Sequence, residues 1–292
     1  IVIAYLIIKY TIKRNKKIKE EHIFYNSTIP EGYFRDIPSN LDPVFASTLA
    51  FCKHGTHKTD ADGYSSIMLS LVRKDYIELA KINDLNGWTT NNVKIIIKYK
   101  PQPIMSELTG NNTIEPKKLE PLTPTEEQYF NLINRYARDG ELSMNNFQSR
   151  VSIDYQNTNS FVKNIKDSIV NIGISQGYFQ KADFEEPKKQ MKSLATKFLI
   201  FGVLLVTVVN LISYQTYLDL AYGSFFIVGI TFLISSIYLR KNANKYVLLT
   251  QLGEDEYNKW RGLYNFLNSE TLMNERTVIE LPIWEQYLVY AT

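Results

Sequence analysis

The strongest pattern along the chain is a pair of uncharged runs. Residues Phe198 to Leu218 and Leu220 to Leu239 carry no formal charge and are separated by Asp219 alone. Each is about as long as a helix needs to cross a hydrocarbon core, roughly 20 residues. Between Phe198 and Ile212, twelve positions are Leu, Ile, Val or Phe. Each contributes about -0.3 to -0.6 kcal/mol towards insertion near the bilayer centre. Asp219 at that depth would cost about 2.5 to 3.5 kcal/mol, so it belongs at the apex of a hairpin. Tyr214, Tyr217 and Tyr222 surround it, as aromatic residues do at a membrane interface. The pattern predicts two antiparallel transmembrane helices, about 197–214 and 221–239.

Upstream of the hairpin the periodicity is that of soluble domains. LDPVFASTLAFCKHG has Asn40 or Asp42 as a cap and Pro43 in the first turn of a helix. DGYSSIMLSLVRKD places Ile67, Met68, Leu71 and Val72 on one helical face. YIELAKI and NVKIIIKYK alternate as two strands turned at NDLNG. Helices followed by a two-stranded ribbon form a winged-helix-like pattern, with helix 63–74 where a recognition helix would lie. In a second module, Thr123 caps a helix that has Pro124 at its first position and Glu126 after it. Tyr129, Leu132, Ile133 and Tyr136 form its apolar stripe. A short helix over MNNFQSRVSI follows, then a longer one with Phe161, Ile165, Ile169 and Ile172 inward, ended by Gly177. Beyond the hairpin, Trp260, Leu263, Tyr264 and Leu267 fall at i, i+3, i+4 and i+7 of a helix. Trp284, Tyr287, Leu288 and Ala291 repeat that design at the end of the sequence.

The resulting plan is a mainly α membrane protein: a transmembrane helical hairpin with two α+β winged-helix-like cytoplasmic modules. Residues 1–8 read as the end of a truncated transmembrane helix, and 9–29 as a basic juxtamembrane segment. The first module covers 30–100, a Pro- and Asn-rich linker 101–121, and the second module 122–190. The hairpin covers 197–239 and a C-terminal cytoplasmic helical segment 240–292.

Charge fixes the orientation. Lys188, Lys189, Lys192 and Lys197 precede the hairpin, Arg240, Lys241 and Lys245 follow it, and its turn has neither Lys nor Arg. The positive-inside bias puts 9–197 and 240–292 in the cytoplasm of a multi-pass cell-membrane protein. Lys13, Arg14, Lys16 and Lys17 are candidates for contact with anionic lipid headgroups. From Glu31 to Gln190 there are 19 Lys or Arg against 20 Asp or Glu. That balance lacks the basic footprint from which duplex binding draws its affinity. Arg73 and Lys74, at the end of helix 63–74, are the nucleic-acid candidates, with Asp75 and Glu78 directly after them.

Chemistry is sparse. The loop KHGTHKTDADG and the residue before it bring Cys52, His54, His57, Asp60 and Asp62 together, and Cys-x-His-x-x-His is close to metal-ligand spacing. Cys52 nevertheless falls on the apolar face of its helix, and there is no second cluster to complete four ligands. His22 lies in the basic segment. No nucleotide-binding, nucleophile-elbow or metalloprotease motif is present in the sequence. The expectation is therefore no catalytic residues and no cofactor.

Four stretches carry a resemblance: PEGYFRDIPSNLDPVFASTL, IMLSLVRKDYIEL, LLTQLGEDEYNKWRGLYNFL and the closing LPIWEQYLVYAT. In this order they are similar to the YciQ-like predicted bacterial membrane proteins, a family of unknown function (domain of unknown function 2207). The resemblance implies an N-terminal domain upstream of Ile1, outside the membrane, and a tail after Thr292. It implies no catalytic residues. The functional expectation is a non-enzymatic scaffold or signal-relay protein. Its partners would be membrane lipid and another protein or a second copy, with Trp260, Trp284 and Tyr287 as contact residues and no small-molecule substrate. The alternative is a membrane-tethered DNA-binding transcriptional regulator.

Overall fold

The computed structural model describes residues 2–54, 59–83, 89–98, 119–213 and 219–269. Its helices are α1 (Val2–Glu21), α2 (Pro43–Phe51), α3 (Thr59–Arg73), α4 (Pro124–Tyr136), α5 (Met144–Ile153), α6 (Tyr155–Ser175), α7 (Glu186–Ser213), α8 (Asp219–Ala243) and α9 (Gln251–Leu267). Its strands are β1 (Ile77–Asn83), β2 (Thr89–Ile97) and β3 (Glu141–Ser143). The chain is mainly helical, with a small three-stranded sheet and two helices of membrane-spanning length, within 186–211 and 223–243. It divides into two compact units.

The first unit comprises residues 1–31, 49–57 and 173–259. Its frame is the antiparallel pair α7–α8. Phe198 meets Phe232 edge-on, with ring centroids 5.2 Å apart. Ser236 donates to the carbonyl of Ala195 at 2.7 Å. Gly202 and Gly229 let the two backbones approach closely: a Cβ on Gly202 would lie 2.9 Å from Leu233 and 3.1 Å from the carbonyl oxygen of Gly229. Small residues at a seam serve this purpose in membranes. Because the helices are antiparallel, the basic residues before α7's apolar run and those after α8's lie at one end of the pair.

α1 runs beside α8. Ile18 packs with Met191, Ala195, Leu239, Ala243 and Tyr246. Asn15 donates to Tyr238 at 3.3 Å and accepts from Tyr246. Ile7, Thr11 and Ile18 form the buried stripe, whereas Val2, Ile3, Tyr5, Leu6, Ile8 and Ile12 are exposed. The apolar opening and the basic residues from Lys9 to Lys19 are thus one continuous helix, which ends at Glu21.

Beyond the helices, Asp255 of α9 binds the strap that follows α1. It accepts from Ser27 Oγ at 2.8 Å and Thr28 N at 2.6 Å. Asn258 donates to the Ile29 carbonyl at 2.6 Å. Gly253 is required where α9 crosses the preceding loop, since a Cβ there would sit 2.2 Å from the Tyr178 carbonyl oxygen.

The second unit comprises residues 32–48, 58–172 and 260–292. Asp42 starts α2 by accepting from Val44 N at 3.0 Å and Phe45 N at 3.2 Å. α3 ends in a Schellman turn: Tyr76 N donates to Leu71 O and Asp75 N to Val72 O, both at 3.0 Å, with Asp75 left-handed at φ 64°. That turn leads directly into β1. The sheet order is β1-β2-β3, all antiparallel. Ile95, central in β2, faces Leu79 on one side and Leu142 on the other. β3 comes from the segment after α4, so the ribbon predicted for one module takes its third strand from the other. Phe45, Ile67, Leu71, Ile77, Ile95 and Ile133 are among the most deeply buried apolar residues here.

Candidate functional site

A recess lined by charged and polar residues lies in the second unit. It is a cavity of about 400 Å³. Three segments build it: the residues that lead into α2, from Ile37 to Pro43; the last turn of α3, with Ser70, Arg73 and Lys74; and Glu120, Thr123 and Glu126 at the start of α4.

Local sequence explains the positions. Thr123 caps α4, and Glu126 returns the bond to the Thr123 backbone N–H at 2.7 Å in a capping box. Pro124 occupies the first turn, where its missing N–H costs nothing. The box turns the Glu126 carboxylate inward, where it also accepts from Ser70 Oγ and, at 2.6 Å, from Lys74 Nζ. The Lys74 side chain is 5% exposed and that of Glu126 1%. Lys74 further donates to the Pro121 carbonyl at 3.0 Å. This one ion pair clamps the end of α3 to the start of α4. Such a pair is strongly destabilising to break from one side, because the remaining charge stays buried.

Beside it lies a second carboxylate. Asp42 caps α2 and accepts from the Thr125 hydroxyl of α4. Burial pushes its carboxyl above the usual carboxylate range, and bonds from Thr123, Thr125 and Phe45 only partly offset this. At the rim, Arg73 holds Glu120 with two bonds, 3.0 Å to Oε1 and 2.9 Å to Oε2. The Arg73 hydrogen bond is the main reason the Glu120 carboxyl sits below the usual range. Both cations lining the recess are therefore matched by carboxylates. A recess so arranged can recognise a polar group by exchange of partners at its rim. Its inner groups are already committed to one another.

The other candidates fall elsewhere. Cys52 is fully buried, and desolvation pushes its thiol up to about 12, far from the thiolate a metal ligand needs. Its carbonyl accepts from the buried ammonium of Lys188. The His54 ring meets Phe51 edge-on at 6.1 Å. His57 lies outside the described residues, and Asp60 and Asp62 enter only as backbone of α3. Lys16 and Lys17 pair with Glu20 and Glu21 along α1, at 3.6 and 3.4 Å. Arg14 donates to Gln190 at 3.1 Å, and Lys13 is exposed. Trp260 is 3% exposed, its ring enclosed within the fold. Trp284 and Tyr287 lie outside the described residues. Sequence reading singled out Arg73 and Lys74 and saw the Thr123–Glu126 cap. It missed the acids that neutralise them and the joint role of Asp42, because those partners lie 47 to 83 positions away.

Residues 30–292 match the family described as "Predicted membrane protein (DUF2207) C-terminal domain". The chain belongs to that family. No match was found among curated proteins, and none among solved structures. Membership agrees with the two membrane-length helices and with the resemblance carried by the four sequence stretches. The family has no assigned activity, so chemistry must be argued from the residues themselves.

Proposed function

We propose that this chain is the membrane-anchoring and cytoplasmic part of a non-enzymatic scaffold or signal-relay protein. α7 and α8 cross the bilayer, and α1 enters it beside them as a further pass. The exposed apolar half of α1 supports this reading, since it lies at the level of the lipid-facing hairpin. Seven Lys and Arg residues at one end of the hairpin, with none in its turn, support a cytoplasmic location for that end.

The winged-helix-like modules serve protein contacts. The order α2, α3, β1, β2 supports the winged-helix likeness. The observation that carries the contact role is the charge matching at the end of α3. Arg73 and Lys74 stand where a recognition helix would present cations to phosphate, yet Glu120 and Glu126 occupy them. A surface neutralised in this way suits a protein partner or a second copy better than a polyanion.

Crosslinking in intact membranes followed by purification of the full chain is expected to recover a defined protein partner or a homodimer. In parallel, duplex DNA should bind without steep salt dependence. Tight, salt-sensitive binding that Arg73→Glu abolishes would falsify the scaffold reading in favour of a tethered regulator.

A further inference from the structure

The two faces of the α7–α8 pair differ. On one, Gln190 and Tyr238 bond to Arg14 and Asn15 of α1. In the seam, Ser236 meets Ala195. Helical phase puts Lys192 and Thr196 of α7 and Arg240 of α8 on the face away from α1. There, Arg240 Nη2 donates to Thr196 Oγ1 at 3.3 Å, and Thr196 Oγ1 donates to the Lys192 carbonyl at 2.9 Å. The Lys192 ammonium is partly desolvated and feels the positive charges of Lys188 and, less strongly, Arg240, offset in part by Glu185. Thr196 and Arg240 are exposed, and Lys192 is half-buried.

These cations form no salt bridge among the described residues, and Glu185 acts on Lys192 only from beyond ion-pair distance. Lys188 and Lys189, one turn earlier, are matched by Glu185 and Asp183. Among the described residues no carboxylate lies within ion-pair distance of Lys192 or Arg240. The sequence has no Asp or Glu at all from 187 to 218 or from 220 to 245. Arg240 is thus tied through Thr196 to the backbone of Lys192, and neither cation has a salt-bridge partner of its own.

Depth identifies what can pair with them. Thr196 lies two residues before the apolar run that begins at Phe198, and Arg240 directly follows the one that ends at Leu239. Lys192 lies one turn further out, about 6 Å along the axis. The group therefore sits at the boundary of the hydrocarbon core, where lipid phosphates lie. Val203 and Ile237, further into the core along the same groove, are exposed.

We propose that Lys192, Thr196 and Arg240 form a headgroup site for an anionic phospholipid in the leaflet at the basic end of the hairpin. The phosphodiester accepts from the Arg240 guanidinium and the Lys192 ammonium, while the Thr196 hydroxyl, its one proton given to the Lys192 carbonyl, accepts from Arg240 and holds the guanidinium in place. The acyl chains run along Val203 and Ile237. The site rests on the hairpin spanning the bilayer. It is separate from Lys13, Arg14, Lys16 and Lys17, which lie on α1.

The test uses the full chain in a non-ionic detergent, with bound lipid read by native mass spectrometry and stability by thermal unfolding. Phosphatidylglycerol is expected to bind and raise the unfolding midpoint; phosphatidylcholine is not. Lys192→Gln with Arg240→Gln should weaken phosphatidylglycerol binding about thirtyfold, equivalent to ~1 kcal/mol for each cation. Lys197→Gln with Lys241→Gln makes the same charge change about 140° round α7 from Lys192 and about 100° round α8 from Arg240 and should leave binding near its original value. Equal losses from the two pairs would reduce the site to general surface charge and overturn it. So would an equal shift from inorganic phosphate alone, which would mean a bare anion suffices. Thr196→Val keeps both charges and should still weaken binding; unchanged affinity would remove the three-residue site. Accessibility mapping of membrane topology reports insertion separately, so failure to span is distinguishable from failure to bind lipid.

Discussion

Two glutamates lining the same recess show how burial sets the worth of an ion pair. Glu126 is 1% exposed in its pair with Lys74, and Glu120 is 42% exposed in its pair with Arg73. Glu126→Gln leaves the buried Lys74 ammonium only the Pro121 carbonyl and Glu120 at 3.9 Å, and is expected to cost about 3 kcal/mol, the low end for one-sided loss of a buried pair. Glu120→Gln should cost under about 1 kcal/mol, since water screens that pair. Chemical denaturation of the full chain in detergent separates the two; equal losses would contradict the clamp. Asp42 carries a pH signature. Its folded carboxyl is raised above the ordinary value of 3.8, chiefly by burial. The folded state therefore holds that proton more tightly than the unfolded one. Its contribution favours folding below the unfolded value and is lost as pH rises through the folded one. Asp42→Asn, a comparable helix cap without charge, is expected to stabilise the protein at neutral pH. Its advantage should shrink as pH falls towards 3.8. An advantage that grows on acidification would show that the carboxylate form is the favoured one.

At the scale of elements, the hairpin depends on close backbone approach. A side chain at Gly202 would press on Leu233 and on the carbonyl of Gly229. Gly202→Val is expected to force α7 from α8 and cost about 1 to 3 kcal/mol, read as a lower unfolding midpoint in detergent. Gly223, also in α8, has open space where a Cβ would point, with no atom within 4 Å. Gly223→Ala should therefore leave the midpoint unchanged or higher. If both substitutions behave alike, helix propensity rather than seam packing governs the pair. The elements also show where hydropathy stops being informative. α7 begins at Glu186, eleven residues before the predicted start at 197. The charged turns before Phe198 continue the same helix, and apolar content marks the membrane-facing portion of a helix rather than its length. The same holds for α1, whose apolar opening and basic continuation form one element.

For the whole molecule, the decisive measurement is topology, and the single cysteine makes it simple. Cys52 is buried, with its thiol pushed up to about 12. The folded protein should therefore resist maleimide near neutral pH. Against that silent background, Ser152→Cys, on the exposed face of α5, is expected to react with an impermeant maleimide only after the membrane is opened. Labelling of intact cells would place the second unit on the outer side and invert the arrangement.

Much of this architecture was legible along the chain because its signals are local. Asp42 and Pro43 start α2, Thr123, Pro124 and Glu126 start α4, and Gly177 follows α6; each is a contact within a few residues. The uncharged runs marked the hairpin because a bilayer selects on composition over about one window of sequence. Three features were not legible: the third strand at Glu141–Ser143, the Lys74–Glu126 clamp and the groove shared by Thr196 and Arg240. Each joins residues 44 to 52 positions apart. Local propensity and hydropathy have no term for such partners. Charge pairing depends on which side chains the fold brings within a few ångströms. The sequence by itself determined which segments become helices and which can enter a membrane. Tertiary structure decided which cations meet a carboxylate and which do not, because distance and burial, not identity, set the value of a charge.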